Sequence, residues 1–344
     1  MNIIIKLAMA GVSRSLVYKL MIGIIFIGQA TFFTSYLMGR DVASLGQELF
    51  TLAPGTPGID QGISQPQFSL VIHGAFGEGQ LVKPMAVTTA NNRIYVSDTG
   101  NHRIQVFDMN GNFLFHFGQV GRQEGQFHFP YGIAGDSEGR IYVADLYQSK
   151  ISVFNPEGEF LHYFGDAEAQ KAIDGPGDIF ITEDNKLYLT DINQSKILIF
   201  DIAEGNLLLE FGEFGRSAGQ FYAPNGVAVD RQGNIWVVDT GNQRVQVFDQ
   251  EGKFLRIING TPDGTGDSVL ANPRGVGIRG NNAVIVSNLT HTIFGFDQQG
   301  VEVFRFGGLG SMNTQFNFPN GLHVDENGHV YITDTINQRV VVYR

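Results

Sequence analysis

Five aspartates, Asp98, Asp145, Asp191, Asp239 and Asp334, recur along the chain with Asn288 between the last two. Successive members of the set lie 47, 46, 48, 49 and 46 residues apart. Carboxylates repeated this regularly could form a metal-binding or acid–base array. Each, however, heads a short polar turn between two apolar runs, as in WVVDTGNQRVQVF from Trp236 to Phe248. An aspartate there accepts backbone N–H groups of its own turn, so the six residues read as structural turn braces. Gly135-Asp136-Ser137-Glu138-Gly139 fits the hydrolase pattern G-x-S-x-G. That pattern needs a strand-to-helix elbow, and here it falls on a hairpin turn aligned with Asp230 to Gly233. Asp263 to Asp267 lacks the ligand spacing of a calcium loop and reads as a solvated loop. With no cysteine, disulfides, a lipid-bearing cysteine anchor, c-type haem and Cys-type zinc sites are excluded.

The elements that carry these residues repeat with them. YVSDTGNHRIQVF (Tyr95 to Phe107) and YITDTINQRVVVY (Tyr331 to Tyr343) copy the phrase closely. YVADLYQSKISVF, YLTDINQSKILIF and the worn VIVSNLTHTIFGF copy it loosely. Period-two alternation on both sides of a turn is a β-hairpin. Pro84, Pro130, Pro176, Pro224, Pro273 and Pro319 keep step with the hairpins. A repeat of about 45 residues with four strands per unit is the signature of a propeller blade. In the fourth repeat the strands are NGVAVD, NIWVVD, RVQVFD and KFLRII, here a to d. Antiparallel alternation puts the d–a and b–c loops on one face and the a–b and c–d turns on the other. The sixth repeat lacks its fourth strand, and Leu70 to Phe76 is left over at the other end. The expected fold is therefore all-β: a six-bladed β-propeller of four-stranded antiparallel blades, closed by the N-terminal strand and preceded by one transmembrane helix.

That helix is expected at 20–38, an uncharged run of nineteen residues. At about 1.5 Å per residue it covers roughly 28 Å, close to the hydrocarbon thickness. Its nine Leu, Ile and Phe residues favour insertion by roughly 3 to 5 kcal/mol. The rival, a cleaved signal peptide, needs a shorter apolar core and a better cleavage site than Ser44-Leu45-Gly46. A buried core helix is disfavoured, since no other helix is expected to pack on it. Lys6, Arg14 and Lys19 precede the run, which places residues 1–19 in the cytoplasm and the propeller outside it. Residues 39–66 have linker composition, and 67–344 form the propeller.

The run GQFYAPNGVAVDRQGNIWVVDTGNQRVQVFDQEGKFLRIING (Gly219 to Gly260) resembles the NHL repeat, and the resemblance extends over about residues 68 to 344. It implies the propeller fold and leaves function open, because one fold hosts many. The family includes RNA-binding modules, extracytoplasmic sensor domains on a membrane helix, and relatives of six-bladed lyases and hydrolases. Peptide-amidating lyases of similar fold place histidines directly after the repeat proline, three of them converging on an axial zinc. Here Met85, Tyr131, Gly177, Asn225, Arg274 and Asn320 stand there, which speaks against that activity. Lactonase-like enzymes hold an axial calcium, and Asp178, Asn225 and Asn320 could reach the channel mouth as oxygen ligands. An RNA-binding face needs a cation excess. From residue 66 onward the chain has 19 Lys and Arg against 31 Asp and Glu, so no nucleic acid is expected. The sequence thus points to a membrane-anchored extracytoplasmic binding, scaffolding or sensor module with a protein or peptide partner. That partner could belong to a membrane complex held through residues 20–38. The contact residues would lie on the d–a and b–c loops: Tyr131, Tyr147, Asn225, Arg274, His291 and Asn320. No catalytic residue, metal or cofactor is expected. The alternative is a hydrolase or lyase with an axial, lactonase-like calcium.

Overall fold

In each hairpin phrase the residues on both sides of the polar turn pair directly, Asp239 with Arg244 and Trp236 with Val247. Stacked β-branched and aromatic pairs of this kind favour strand over helix. The computed structural model of the chain describes residues 65–74, 77–260 and 268–344. It consists of six four-stranded antiparallel sheets. Blades 1 to 5 each take four consecutive strands, and the sixth joins the strand Phe68–Ile72 to the last three strands of the chain. The expected membrane segment at 20–38, Phe76, and Asp263 to Asp267 lie outside the described residues. Among the described residues, no helix is long and apolar enough to cross a membrane.

Six apolar clusters fill the seams between successive blades. At the seam of blades 4 and 5, Trp236, Val238, Val245 and Val247 meet Val276, Ala283, Ile285 and Phe294. Each such side chain, fully buried, contributes about 1.5–3 kcal/mol. The middle strands are therefore buried on both faces, and ring closure is itself a core interaction. Inner strands approach closely where the second residue after the proline is glycine. A Cβ at Gly132 would lie 2.3 Å from the Gly177 carbonyl oxygen, and one at Gly226 2.4 Å from that of Arg274.

The closing strand is found, but it starts two residues and ends four residues earlier than the pattern Leu70 to Phe76 suggested. Phe68 faces Tyr343 and Ile72 faces Val340, with a bulge between Phe68 and Leu70. Gln67 and Arg344 exchange backbone hydrogen bonds of 2.7 and 2.8 Å beyond the strand end. Ile72, not Phe76, thus takes the place that Phe117 holds opposite Ile104 in blade 1. The chain turns away at Gly74, whose φ of 87° suits glycine. One short helix was not foreseen: α1 (Ala167–Ala172), on the loop between blades 2 and 3. Asp166 caps it by accepting from the N–H groups of Glu168 and Ala169.

Candidate functional site

The repeated aspartates sit where strand b meets its turn, and each ties three segments together. Asp239 accepts from the Tyr222 N–H (2.8 Å), Arg244 Nε (2.8 Å), Gln246 Nε2 (3.0 Å) and Asn242 Nδ2 (2.9 Å). Asp98 does the same with Val82, Arg103, Gln105 and Asn101. Asp334 does so with Asn317, Asn337 and Arg339. Asp145 and Asp191 lack the arginine and instead take two backbone N–H groups each from the segment before their proline. Burial raises the Asp239 carboxyl above its ordinary range, although the Tyr222 N–H, Asn242 and Arg244 pull the other way.

Asn288 does not belong to this set. Pro273 pairs with Ser287 just as Pro319 pairs with Asp334, so Ser287 holds the aspartate position in blade 5. Its hydroxyl accepts from the Ala271 N–H at 2.9 Å. The blade 5 turn therefore has the length of its sisters. Asn288 matches Thr99, Thr240 and Thr335 instead. Those three donate to the carbonyl of the next blade's proline, at Pro130, Pro273 and Pro84, and Asn288 donates to that of Pro319 at 2.7 Å.

These braces shape the loop face. In blades 1, 4, 5 and 6 the residue before the proline is left-handed: Lys83, Ala223, Asn272 and Phe318, with φ of 49–53°. The brace accepts the N–H of the residue just before it, which holds a conformation unfavourable for a non-glycine residue. The chain then drops into the inner strand, and the next residue after the proline faces the axis.

Four of the expected contact residues meet there. Tyr131, Asn225, Arg274 and Asn320 line a small axial cavity together with Met85, Asp178 and Leu322. Tyr131 donates its hydroxyl to Asn225 Oδ1. Arg274 Nη1 donates to the same oxygen at 2.9 Å. Asn320 Nδ2 is engaged with the Met85 carbonyl at 2.9 Å. Asp178 occupies the place that is Ala or Gly in the other five repeats, and its Oδ2 accepts from the Val227 N–H at 3.3 Å. Burial pushes its carboxyl up to about 7. That exception among Ala86, Gly132, Gly226, Gly275 and Gly321 was visible in the aligned repeats.

Tyr147 lies outside the cavity but continues its rim. Tyr131 stacks on Phe129 at 6.1 Å, Phe129 meets Tyr147 at 4.7 Å, and Tyr147 meets His128 at 5.3 Å. Phe129 was missed because, of the other residues that precede the repeat proline, only Phe318 is aromatic. His291 is not part of the site. It is buried in the blade 5 turn, its Nδ1 accepts from the Phe318 N–H at 3.0 Å, and its ring packs on that of Phe318. Burial lowers its pKa.

The cavity does not suit calcium. Asn225 Oδ1 is already occupied by two donors, and Arg274 contributes a positive charge to the same space. Among the described residues, no three His, Asp or Glu side chains converge as a metal site. Further out, apolar side chains stand exposed on three d–a loops: Val120 (64%), Phe214 (59%), and Leu309 and Met312 (61% and 64%).

The NHL repeat family profile matches residues 84–107, 221–248 and 316–343. These are the first three strands, in whole or part, of blades 1, 4 and 6, the blades with the aspartate–arginine pair. Protein brain tumor of Drosophila melanogaster is 37% identical over 137 residues, 39% of this chain and 12% of that protein. B-box type zinc finger protein ncl-1 of Caenorhabditis elegans is 33% identical over 135 residues, 39% of this chain and 15% of that protein. The chain thus spans only a small part of the length of these relatives. A solved streptogramin B lyase superposes with a TM-score of 0.54 at 16% identity, covering 76% of this chain and 79% of that one, a likeness of fold. The chain thus carries NHL repeats, and its described residues close into a six-bladed propeller.

Proposed function

We propose that this chain is a membrane-anchored, extracytoplasmic NHL propeller that binds a protein partner through the face of its d–a and b–c loops. The carrying observation is the set of exposed apolar side chains at Val120, Phe214, Leu309 and Met312, on a face whose backbone the braces hold rigid. Apolar groups displayed on rigid loops are what a protein partner buries. The closing strand favours the same face. Phe68 lies opposite Tyr343, at the end of the ring that carries the a–b and c–d turns. The chain therefore enters the strand Phe68–Ile72 from the face opposite the loops. The anchor itself rests on the uncharged run at 20–38 and on Lys6, Arg14 and Lys19 before it.

Chemical crosslinking in intact membranes, followed by affinity capture and mass spectrometry, tests the reading. The expected result is a defined protein partner whose yield drops in Phe214→Asp and Leu309→Asp, with protease added outside the cytoplasm reaching the propeller. Labelling of the propeller by a cytosol-restricted reagent would overturn the topology. Unchanged capture by both variants would overturn the face.

A further inference from the structure

Three arginines are buried in the propeller, and they differ in what neutralises them. Arg244 pairs with Asp239 at 2.8 Å and Arg339 with Asp334 at 2.7 Å. Arg274, 9% exposed on the wall of the axial cavity, has no carboxylate within ion-pair distance among the described residues. Nη1 is held by the neutral Asn225 oxygen, and Nε is buried without any partner. A buried guanidinium left without an anion is strongly unfavourable, so the fold keeps it at a cost in stability. Asn225 Oδ1 fixes its orientation, accepting from Arg274 Nη1 and from the Tyr131 hydroxyl together. Asp178, the one acid among the cavity's lining residues, does not serve as counterion. Its carboxylate oxygen is turned to the Val227 N–H, and burial holds it partly protonated at neutral pH. Met85 and Leu322 supply an apolar wall beside the charge.

We propose that the axial cavity is a carboxylate-binding site, with Arg274 as its charge anchor and Met85 and Leu322 receiving the carbon attached to the carboxyl group. A guanidinium edge matches the two oxygens of a carboxylate, which a spherical cation or a neutral amide does not. The carboxylate comes either from a free small acid or from the C-terminus of a bound polypeptide. The inference rests on the loop face being a contact surface only for the second source.

Acetate, and a short apolar peptide with a free or an amidated C-terminus, are the probes, titrated into the full-length chain at constant ionic strength. Melting temperature and carboxylate-carbon NMR line broadening are the readouts. Saturable binding of acetate or of the free-acid peptide, with none of the amide, is expected. Acetate alone assigns a free acid, and a much tighter free-acid peptide assigns a C-terminus. Arg274→Lys keeps the charge but loses the fork, and should weaken binding about tenfold or more, the worth of one charge-assisted hydrogen bond. Arg274→Met should abolish it. Should Arg274→Met fail to fold, Arg274→Lys decides the matter. Linear, unsaturable responses, equal binding of the two peptides, or wild-type affinity in Arg274→Lys would overturn the proposal. Partner capture that survives while all three probes fail would sink this inference and leave the loop-face reading standing.

Discussion

Replacing Asp239 by serine should cost far more than replacing Asp239 and Arg244 together by the pair that blade 5 already uses. Asp239 holds four donors, and one is the guanidinium of the fully buried Arg244. Asp239→Ser leaves that charge unpaired, a loss of about 3–5 kcal/mol. Blade 5 has Ser287 opposite Thr292 at the same register positions and is fully formed. Asp239→Ser with Arg244→Thr copies it. The double variant forgoes the Arg244 bonds to the Ser217 and Gln220 carbonyls, at about 1 kcal/mol each. It removes the stranded charge, however, so its expected loss is about 2–3 kcal/mol. Trp236, the single tryptophan, is buried in the same strand as Asp239 and reports unfolding of this region. Urea denaturation followed by its fluorescence, at unchanged slope, measures both losses. A loss below about 1 kcal/mol in Asp239→Ser, or a double variant no more stable than the single, would refute the brace account.

Two titrations and one truncation extend the test. Burial raises Asp178 from its ordinary value to about 7, so it favours the folded state below about pH 4, and that advantage is lost as pH rises through 7. Asp178→Asn should therefore outlast the parent chain at pH 9, by up to about 4 kcal/mol, with the gap closing toward pH 4. His323 accepts or donates a 2.8 Å hydrogen bond with Thr89 across the closing seam, and burial lowers its pKa to about 4. Its contribution is present above about pH 6.5 and lost as pH falls toward 4, so His323→Gln should flatten acid unfolding by about 3 kcal/mol over that range. A chain beginning at Gln65 should melt like the full chain, whereas one beginning at Gly79 should melt well below it and aggregate. It exposes the edge Arg339–Tyr343 and forfeits Ile72, worth about 2 kcal/mol or more by itself. Equal melts would mean that the strand Phe68–Ile72 does not close the ring.

What could be read in the sequence was what repeats. The hairpin phrase, the proline landmarks and the missing sixth outer strand are local patterns, and they translate directly into blades and closure. The registers that went astray lacked a conspicuous residue. Ser287 does the work of an aspartate without looking like one, and Asn288 beside it imitates the wrong neighbour. The closing strand slipped because Ile72 and Phe76 both suit an outer strand, and only pairing with Val340 chooses between them. The axial site depends on residues about one repeat apart being brought to a common axis. Tyr131 and Arg274 both donate to Asn225 from other repeats, a pairing that no local pattern carries. His291 looked exposed on a turn, but its turn folds under Phe318.

A photo-crosslinking amino acid, placed singly around the propeller in the full-length chain within intact cells, tests the central claim most directly. Probes at Val120, Phe214, Leu309 and Met312 sample the loop face; probes at Asn110, Glu157 and Gln299 sample the opposite turns. The account predicts one partner protein crosslinked from the first set and none from the second. Capture of that partner from Asn110, Glu157 or Gln299, with the loop positions silent, would contradict it.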